Sequence, residues 1–194
     1  MSEKKNLKAV SAPVKLGIIL LIIAGCMGLL LGGANVLTKD RIASAKETAN
    51  KKAYAAVLPE GASVDALEEV QVPDEYKDSV LEAFRCGTIG YCLRVSSKGY
   101  GGPVIIAVGL DASGQVTGVE IVEHSETPGL GANATNESFR SQYTGKSGSV
   151  ELVKGEAGAG QVAAISGATI TSRSVTASVN TALTFYENCL KGGK

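Results

Sequence analysis

The chain has 194 residues, which is enough for one membrane segment and one compact domain but leaves little room for a second core. Its 19 basic and 19 acidic residues cancel, so no basic excess points to nucleic acid as a partner. The sequence contains a single histidine, His124, which excludes a metal site built from several histidines.

The first predicted element is a membrane anchor over residues 16–38, a run without charged residues. A helix of about 20 apolar residues crosses a hydrocarbon core of about 30 Å. The apolar core of a signal peptide is only about 7–15 residues long, and no clear small-x-small cleavage site follows this run. We therefore expect the anchor to be retained. Lysine and arginine residues flank both of its ends, so charge alone does not decide its orientation.

The segment after the anchor predicts a helical stalk and linker over residues 39–88. Residues 39–58 are rich in alanine and contain neither glycine nor proline, so the membrane helix should continue outward until Pro59. Asp74 follows Pro73 and is a suitable N-cap, which predicts a short helix over residues 74–84.

From residue 91 the pattern has a period of two and predicts an antiparallel meander. Residues 91–97, 104–110 and 116–122 are the expected strands, joined by a glycine-rich turn, KGYGGP, at 98–103 and by a hairpin turn at 111–114.

Helices and short strands follow the meander. The loop HSETPGLG (124–131) precedes a predicted helix over 136–143 and predicted strands over 149–153 and 162–165. A final helix, with apolar residues at spacings of three and four, should begin after Ala168, run to about residue 190 and end at Gly192 and Gly193. The predicted fold class is α+β, a small domain with an antiparallel sheet and flanking helices after one transmembrane helix.

The cysteines contain no CxxC pair, so the spacings typical of thioredoxin-like, haem c and iron–sulfur sites are absent. Cys86 and Cys92 either form a disulfide or remain two separate core thiols, and their spacing leaves both readings open.

The segment SGATITS (166–172) is the candidate site, because a tight turn of small residues opens a helix rich in hydroxyl groups. The unpaired N–H groups and partial positive charge of a helix N-terminus suit a phosphate. Gly167 and Ala168 allow a bulky group to approach, and Thr169 and Thr171 present hydroxyls beside it. The alternative is a plain capped helix, in which Ser166 or Thr169 satisfies N–H groups.

SGATITS resembles the flavinylation motif of the FMN-binding domain shared by the G subunit of the Rnf complex and the C subunit of the sodium-pumping NADH:quinone reductase. In that family an acidic residue, two variable residues and Ser or Thr precede Gly-Ala-Thr, and the last Thr is joined to the FMN phosphate. The resemblance extends to KGYGGP and HSETPGLG, and covers roughly residues 91–190 plus the anchor. One departure is Ala163, at the usual acidic position.

The resemblance implies FMN joined covalently, as a phosphoester, to Thr169, with Thr171 as the alternative acceptor. The residues expected to bind the cofactor lie in the two loops and the helix entrance: Ser166, Gly167, Ala168, Thr171, Ser172, Glu126, Thr127, Gly129, Leu130 and Gly131. An alternative interpretation is that Glu126 stabilises the loop structure. Tyr100 either flanks the flavin or covers the core. The sequence predicts neither a catalytic residue nor a metal site on this chain.

The resemblance further implies one electron-relay subunit of an Rnf-type ferredoxin:NAD⁺ oxidoreductase, with other membrane and peripheral subunits as partners. A separate flavin transferase, carrying Mg²⁺ and FAD, would attach the FMN. The implied arrangement is a cytoplasmic tail at 1–15, a single span of the cell (inner) membrane at 16–38, a stalk and linker at 39–88 and an extracytoplasmic FMN-binding domain at 89–191. The alternatives are a C-type subunit of the quinone reductase and a tethered module that binds its ligand noncovalently.

Overall fold

The computed structural model describes residues 12–192. The chain divides into two compact units, one ending at Glu47 and the other beginning at Thr48. Helix α1, Ala12–Val57, provides the described part of the first unit, and all of its apolar residues from 16 to 38 are exposed. By length and composition this helix can cross a membrane. Residues 1–11 of the predicted cytoplasmic tail lie outside the described residues, as does Gly193.

The second unit is built on a five-stranded antiparallel sheet whose strands follow one another in sequence order. The strands are β1 Leu67–Glu69, β2 Val80–Cys86, β3 Gly90–Lys98, β4 Pro103–Asp111 and β5 Val116–Glu123. Strands β3, β4 and β5 confirm the predicted meander, and each extends a residue or so beyond the predicted bounds.

The predicted helix over 74–84 is wrong. A short 3₁₀ turn, Asp74–Tyr76, is followed by strand β2, which pairs with β3 along most of its length. Glu82 and Ala83 favour a helix in isolation, but pairing with β3 overrides this local preference. Strand β1 was not predicted, so the sheet begins inside the segment assigned to the stalk and linker.

The remaining elements surround the sheet. The predicted helix at 136–143 is a short helix followed by a 3₁₀ turn, and the two later strands form a separate parallel pair. These elements are a 3₁₀ turn Gly131–Thr135, α2 Glu137–Arg140, a 3₁₀ turn Ser141–Tyr143, β6 Glu151–Val153, β7 Gln161–Ala163, α3 Thr169–Phe185 and a π-helical turn Tyr186–Leu190. The α+β class is therefore confirmed.

Helix α3 packs on one face of the sheet and closes the main core. Alternate residues of strand β4 are fully buried on this side: Val104, Ile106, Val108 and Leu110. Because side chains alternate along a strand, the residues between them lie on the other face.

The other face of the sheet receives the end of α1, from Ala53 to Val57, in a second small core. The close approach depends on Gly109, because a Cβ atom there would overlap the Val57 carbonyl oxygen. Thr117 Oγ1 donates a hydrogen bond to that carbonyl, which lies at the unpaired C-terminal end of the helix. The last turns of the stalk are thus part of the domain's own fold.

Cys86 and Cys92 are free, buried thiols. Strand pairing sets Cys86 opposite Gly90 and Cys92 opposite Phe84, so the two cysteines are diagonal neighbours on one face of the sheet. Diagonal neighbours are about 7–8 Å apart, which is wider than a disulfide usually spans. Burial, with a smaller contribution from Glu82, raises the pKa of Cys92 to about 12, so its thiol stays protonated at neutral pH.

Replacing Gly109 with alanine should destabilise the domain, because the added methyl group meets the end of α1. We expect Gly109→Ala to lower the free energy of unfolding by about 1–3 kcal/mol, the usual range for overpacking. The measurement is denaturant unfolding of the full chain in detergent, followed by circular dichroism. Gly192→Ala is the matched control, because open space surrounds Gly192. Equal stabilities for the two variants would contradict this account of the contact.

Candidate functional site

One cavity of about 510 Å³ lies where three separate segments meet. The segments are the β3–β4 turn, the loop after β5 and the first turn of α3. The residues that line the cavity are Tyr100, Glu126, Thr127, Leu130, Gly131, Gly167, Ala168, Thr169, Ile170 and Thr171.

The carboxylate of Glu126 joins these three segments. Its Oε1 accepts hydrogen bonds from the backbone N–H groups of Tyr100, at 2.8 Å, and Gly101, at 3.0 Å. Its Oε2 accepts a hydrogen bond from Thr171 Oγ1 at 2.5 Å. Glu126 is only 6% exposed, and a carboxylate buried to this extent needs such partners. It therefore organises the site, as one reading of the sequence proposed.

Three glycines allow the backbone to approach this carboxylate. A Cβ atom on Gly99 would overlap Glu126 Oε1, and one on Gly131 would overlap Glu126 Oε2 and lie 2.6 Å from Thr171 Oγ1. A Cβ atom on Gly101 would overlap the carbonyl oxygen of Ser125. Gly99 and Gly101 of KGYGGP are thus required by contact with the loop after β5, and Gly131 is required by contact with Glu126 and Thr171.

The hydrogen bonds at Glu126 decide its charge. Burial raises the pKa of the Glu126 carboxyl, but the hydrogen bonds from Thr171 and from the N–H groups of Gly101 and Tyr100 lower it, as does nearby His124. The lowering effects prevail, so the pKa lies below its usual range. Glu126 is consequently ionised at neutral pH and acts as an acceptor.

The histidine that the sequence singled out supports the same loop. His124 Nδ1 accepts a hydrogen bond from the backbone N–H of Glu126 at 3.2 Å. His124 itself does not line the cavity.

Helix α3 begins at Thr169, and Ala168 is its N-cap. No side chain among the described residues makes a capping hydrogen bond at this end. The alternative interpretation, in which Ser166 or Thr169 caps the helix, is therefore not supported. Gly167 has φ +74°, a left-handed conformation that favours glycine, and it turns the chain into the helix. The first N–H groups of α3 are left for another partner.

The structure brings most of the predicted site residues together. Three do not line the cavity: Ser166 and Gly129 are exposed, and Ser172 is fully buried. Ser172 Oγ donates to the carbonyl oxygen of Ala168 and accepts from the N–H of Ile165, so it braces the turn before the helix. The Thr171 side chain is almost fully buried and is engaged by Glu126.

Two lining residues were missed or left undecided by the sequence analysis. Ile170 is 51% exposed in the first turn of α3, and Tyr100 is 73% exposed in the β3–β4 turn. The sequence held a signal for Ile170, since a large apolar residue lies between the two threonines of a polar motif. Because the Tyr100 side chain is largely exposed and lines the cavity, the interpretation that it covers the core is wrong.

Comparison with known proteins identifies the family. Residues 99–184 match the family described as FMN-binding domain. The chain is 34% identical to the G subunit of the Na⁺-translocating ferredoxin:NAD⁺ oxidoreductase complex of Acetobacterium woodii, over 91% of this chain and 93% of the relative. The chain belongs to the G-subunit family of ion-translocating oxidoreductase complexes. Other G subunits extend this similarity: one from Methanosarcina acetivorans is 27% identical over 95% of this chain and 97% of its own.

The fold of this G-subunit family member also resembles a solved structure. The C subunit of the Na⁺-translocating NADH-quinone reductase from Parabacteroides distasonis superposes with a TM-score of 0.59, over 79% of this chain and 98% of that chain. At 22% identity this similarity shows a common fold.

Glu126 should make the stability of the domain depend on pH. Because its pKa is lowered in the folded state, its stabilising effect is complete above the unfolded-state pKa of about 4.3 and is lost as pH falls through the folded-state pKa. We expect Glu126→Gln to be less stable than wild type at pH 7, with the difference shrinking toward pH 3. Urea unfolding of the full chain at several pH values measures this difference.

The control for this experiment is Glu60→Gln, which changes an exposed carboxylate away from the cavity. A stability difference between wild type and Glu126→Gln that stays constant from pH 7 to pH 3 would contradict an ionised, stabilising Glu126.

Proposed function

We propose that this chain is a membrane-anchored flavoprotein that relays electrons in an Rnf-type complex, with FMN joined to Thr169 by a phosphoester. The observation that carries the proposal is the position of Thr169. It is the first residue of α3, lies at a helix entrance without a side-chain cap, and lines the cavity where three segments meet.

The residues present suit the two parts of FMN. The uncapped N-terminus of α3 offers N–H groups and a partial positive charge to a phosphate. Gly167 leaves room beside it, since a Cβ atom there would approach Leu130 Cδ2 to 3.2 Å. Exposed apolar side chains of Leu130 and Ile170 line the cavity and suit a flat ring system. Its volume of about 510 Å³ falls within the usual range of about 300–1,000 Å³ for ligand sites.

The surroundings of the two threonines favour Thr169 over Thr171 as the acceptor. Because each helical residue turns the chain by about 100°, two residues of separation place these side chains about 200° apart around the helix axis. Thr171 is 1% exposed and donates its hydroxyl hydrogen to Glu126. Thr169 is only partly buried and lines the cavity. An incoming enzyme can therefore reach Thr169 while Thr171 serves the loop structure.

Attachment requires an outside catalyst, since a threonine hydroxyl is a poor nucleophile until a base or metal activates it. We propose that a flavin transferase with Mg²⁺ and FAD provides this activation. Thr169 Oγ1 attacks the phosphorus on the FMN side of FAD, the bond between that phosphorus and the bridging oxygen breaks, and AMP leaves. The hydroxyl proton passes to a base on the transferase. The product carries one negative charge, which suits the N-terminus of α3.

Bound FMN would supply the electron transfer, and the protein would position it. Thr169 fixes the phosphate end, Glu126 holds the two loops, and Leu130 and Ile170 shield part of the ring from water. The chain alone carries no nicotinamide or cluster motif in its sequence, so we propose that it works only with the other subunits of the complex.

For the arrangement in the membrane, we propose a single span of the inner membrane at 16–38, a cytoplasmic tail at 1–15 and an extracytoplasmic FMN-binding domain at 89–191. The exposed apolar surface of α1 and the ion-translocating complexes named for the relatives support the anchor. Within the segment 39–88, strands β1 and β2 join the sheet of the domain.

Thr169→Ala should abolish covalent flavin. The full chain is co-expressed with a flavin transferase, separated on a denaturing gel and examined for flavin fluorescence. We expect a fluorescent band for wild type and for Thr171→Ala, but none for Thr169→Ala, because Thr169 offers the one reachable hydroxyl in the first turn of α3, where Thr171 and Ser172 are buried.

Thr184→Ala is the matched control, since Thr184 is an exposed threonine of the same helix. A Thr169→Ala band with the same flavin fluorescence as the wild-type band would contradict the proposed linkage. Loss of the band in Thr171→Ala alone would move the acceptor to Thr171. Flavin that co-purifies with the native protein but is lost on the gel would favour the noncovalent binding module.

A further inference from the structure

We propose that the ring of Tyr100 packs against the isoalloxazine of the FMN carried on Thr169 and forms one wall of the flavin site. This inference rests on the proposed function and adds a cofactor-contacting residue outside the loop after β5 and the helix entrance.

Large apolar side chains that are exposed in the second unit concentrate at this cavity. Beyond residue 48, the described residues of this type are Leu81, Ile89, Tyr100, Leu130 and Ile170. The last three come from three different segments and line the same cavity. Single exposed apolar residues are ordinary, but a cluster around one cavity marks a binding surface.

Tyr100 is the most exposed of the three, at 73%, yet its backbone is firmly held. Its N–H donates to Glu126 Oε1, and the neighbouring N–H of Gly101 donates to the same atom. The turn is also closed by a hydrogen bond from the N–H of Gly99 to the carbonyl oxygen of Gly102 at 2.8 Å. A fixed backbone with a free aromatic side chain is what a preorganised ligand contact requires.

The same carboxylate links this turn to the attachment helix. Glu126 Oε1 holds the backbone of Tyr100, and Glu126 Oε2 holds Thr171, two residues after Thr169. A flavin tethered at Thr169 would therefore meet the Tyr100 ring across the cavity that both residues line. The other two exposed apolar residues that line the cavity, Leu130 and Ile170, are aliphatic, so Tyr100 is the one aromatic ring among the lining residues that the structure describes.

Contact between a phenol and a flavin has a distinct spectroscopic signature. An excited flavin takes an electron from a tyrosine or tryptophan ring that touches it, and its emission is quenched. Phenylalanine and leucine are not oxidised in this way. The identity of residue 100 should therefore set the emission of the native, flavin-loaded chain.

The test uses the full chain, co-expressed with a flavin transferase and purified in detergent without denaturation. Emission intensity and lifetime are measured per covalently bound flavin, whose amount is determined separately on a denaturing gel. We expect wild type to be quenched, Tyr100→Leu and Tyr100→Phe to emit several-fold more strongly, and Tyr100→Trp to remain quenched.

Tyr100→Trp gives a second, independent readout, because the natural chain contains no tryptophan. Its indole emission should be strongly quenched in the loaded chain and should recover when Thr169→Ala is added. The matched control is Ile89→Trp, because Ile89 precedes strand β3 and Tyr100 follows it. The nine residues of this strand span about 30 Å, so contact quenching should be absent at position 89.

The outcomes separate the two claims. A chain that carries no flavin after co-expression would overturn the proposed function and this inference with it. A loaded chain whose flavin emission is the same with tyrosine, phenylalanine, leucine or tryptophan at position 100 would overturn this inference alone. Equal flavin-dependent quenching of tryptophan at positions 100 and 89 would also overturn it.

Discussion

The hydrogen bonds around the Glu126 carboxylate are the constraint on which the site depends. They link Glu126 to residues that lie 25, 26 and 45 positions away in the sequence. The β3–β4 turn, the loop after β5 and helix α3 are thereby held together around one cavity. A buried charge with its donors removed is strongly unfavourable, so the loop, the β3–β4 turn and helix α3 must assemble together. The charge itself has no assigned part in electron transfer. Its effect is to hold a backbone turn on one side and a helix on the other.

The sheet gives this assembly a rigid base because both of its faces are covered. Helix α3 closes one face and carries Thr169 at its first residue, while the end of α1 closes the other at Gly109. The residue to which we assign the flavin is therefore the first residue of a helix that is packed along most of its length. This arrangement suits a tethered cofactor, since a fixed attachment point limits the positions that the ring can reach.

The local pattern of the sequence predicted much of the fold, and family resemblance pointed to the helix entrance. The meander followed from period-two alternation, and α3 from spacings of three and four. The prediction of a helix over residues 74–84 was wrong because the local propensity is helical, whereas the strand that pairs with β2, β3, lies later in the chain. The contact between KGYGGP and HSETPGLG could not be predicted either, because no local sequence pattern shows which carboxylate will accept a hydrogen bond from a distant N–H group. Ile170 was missed because its neighbours are polar.

The most direct test of the account is mass analysis of the protein from its native membrane after trypsin digestion. Cleavage after Lys154 and Arg173 yields one peptide that spans the turn and the start of α3. We expect this peptide to carry the mass of FMN less one water, with fragmentation assigning the addition to Thr169. An unmodified peptide would contradict the central claim, and an addition assigned to Thr171 would contradict the role given to Glu126.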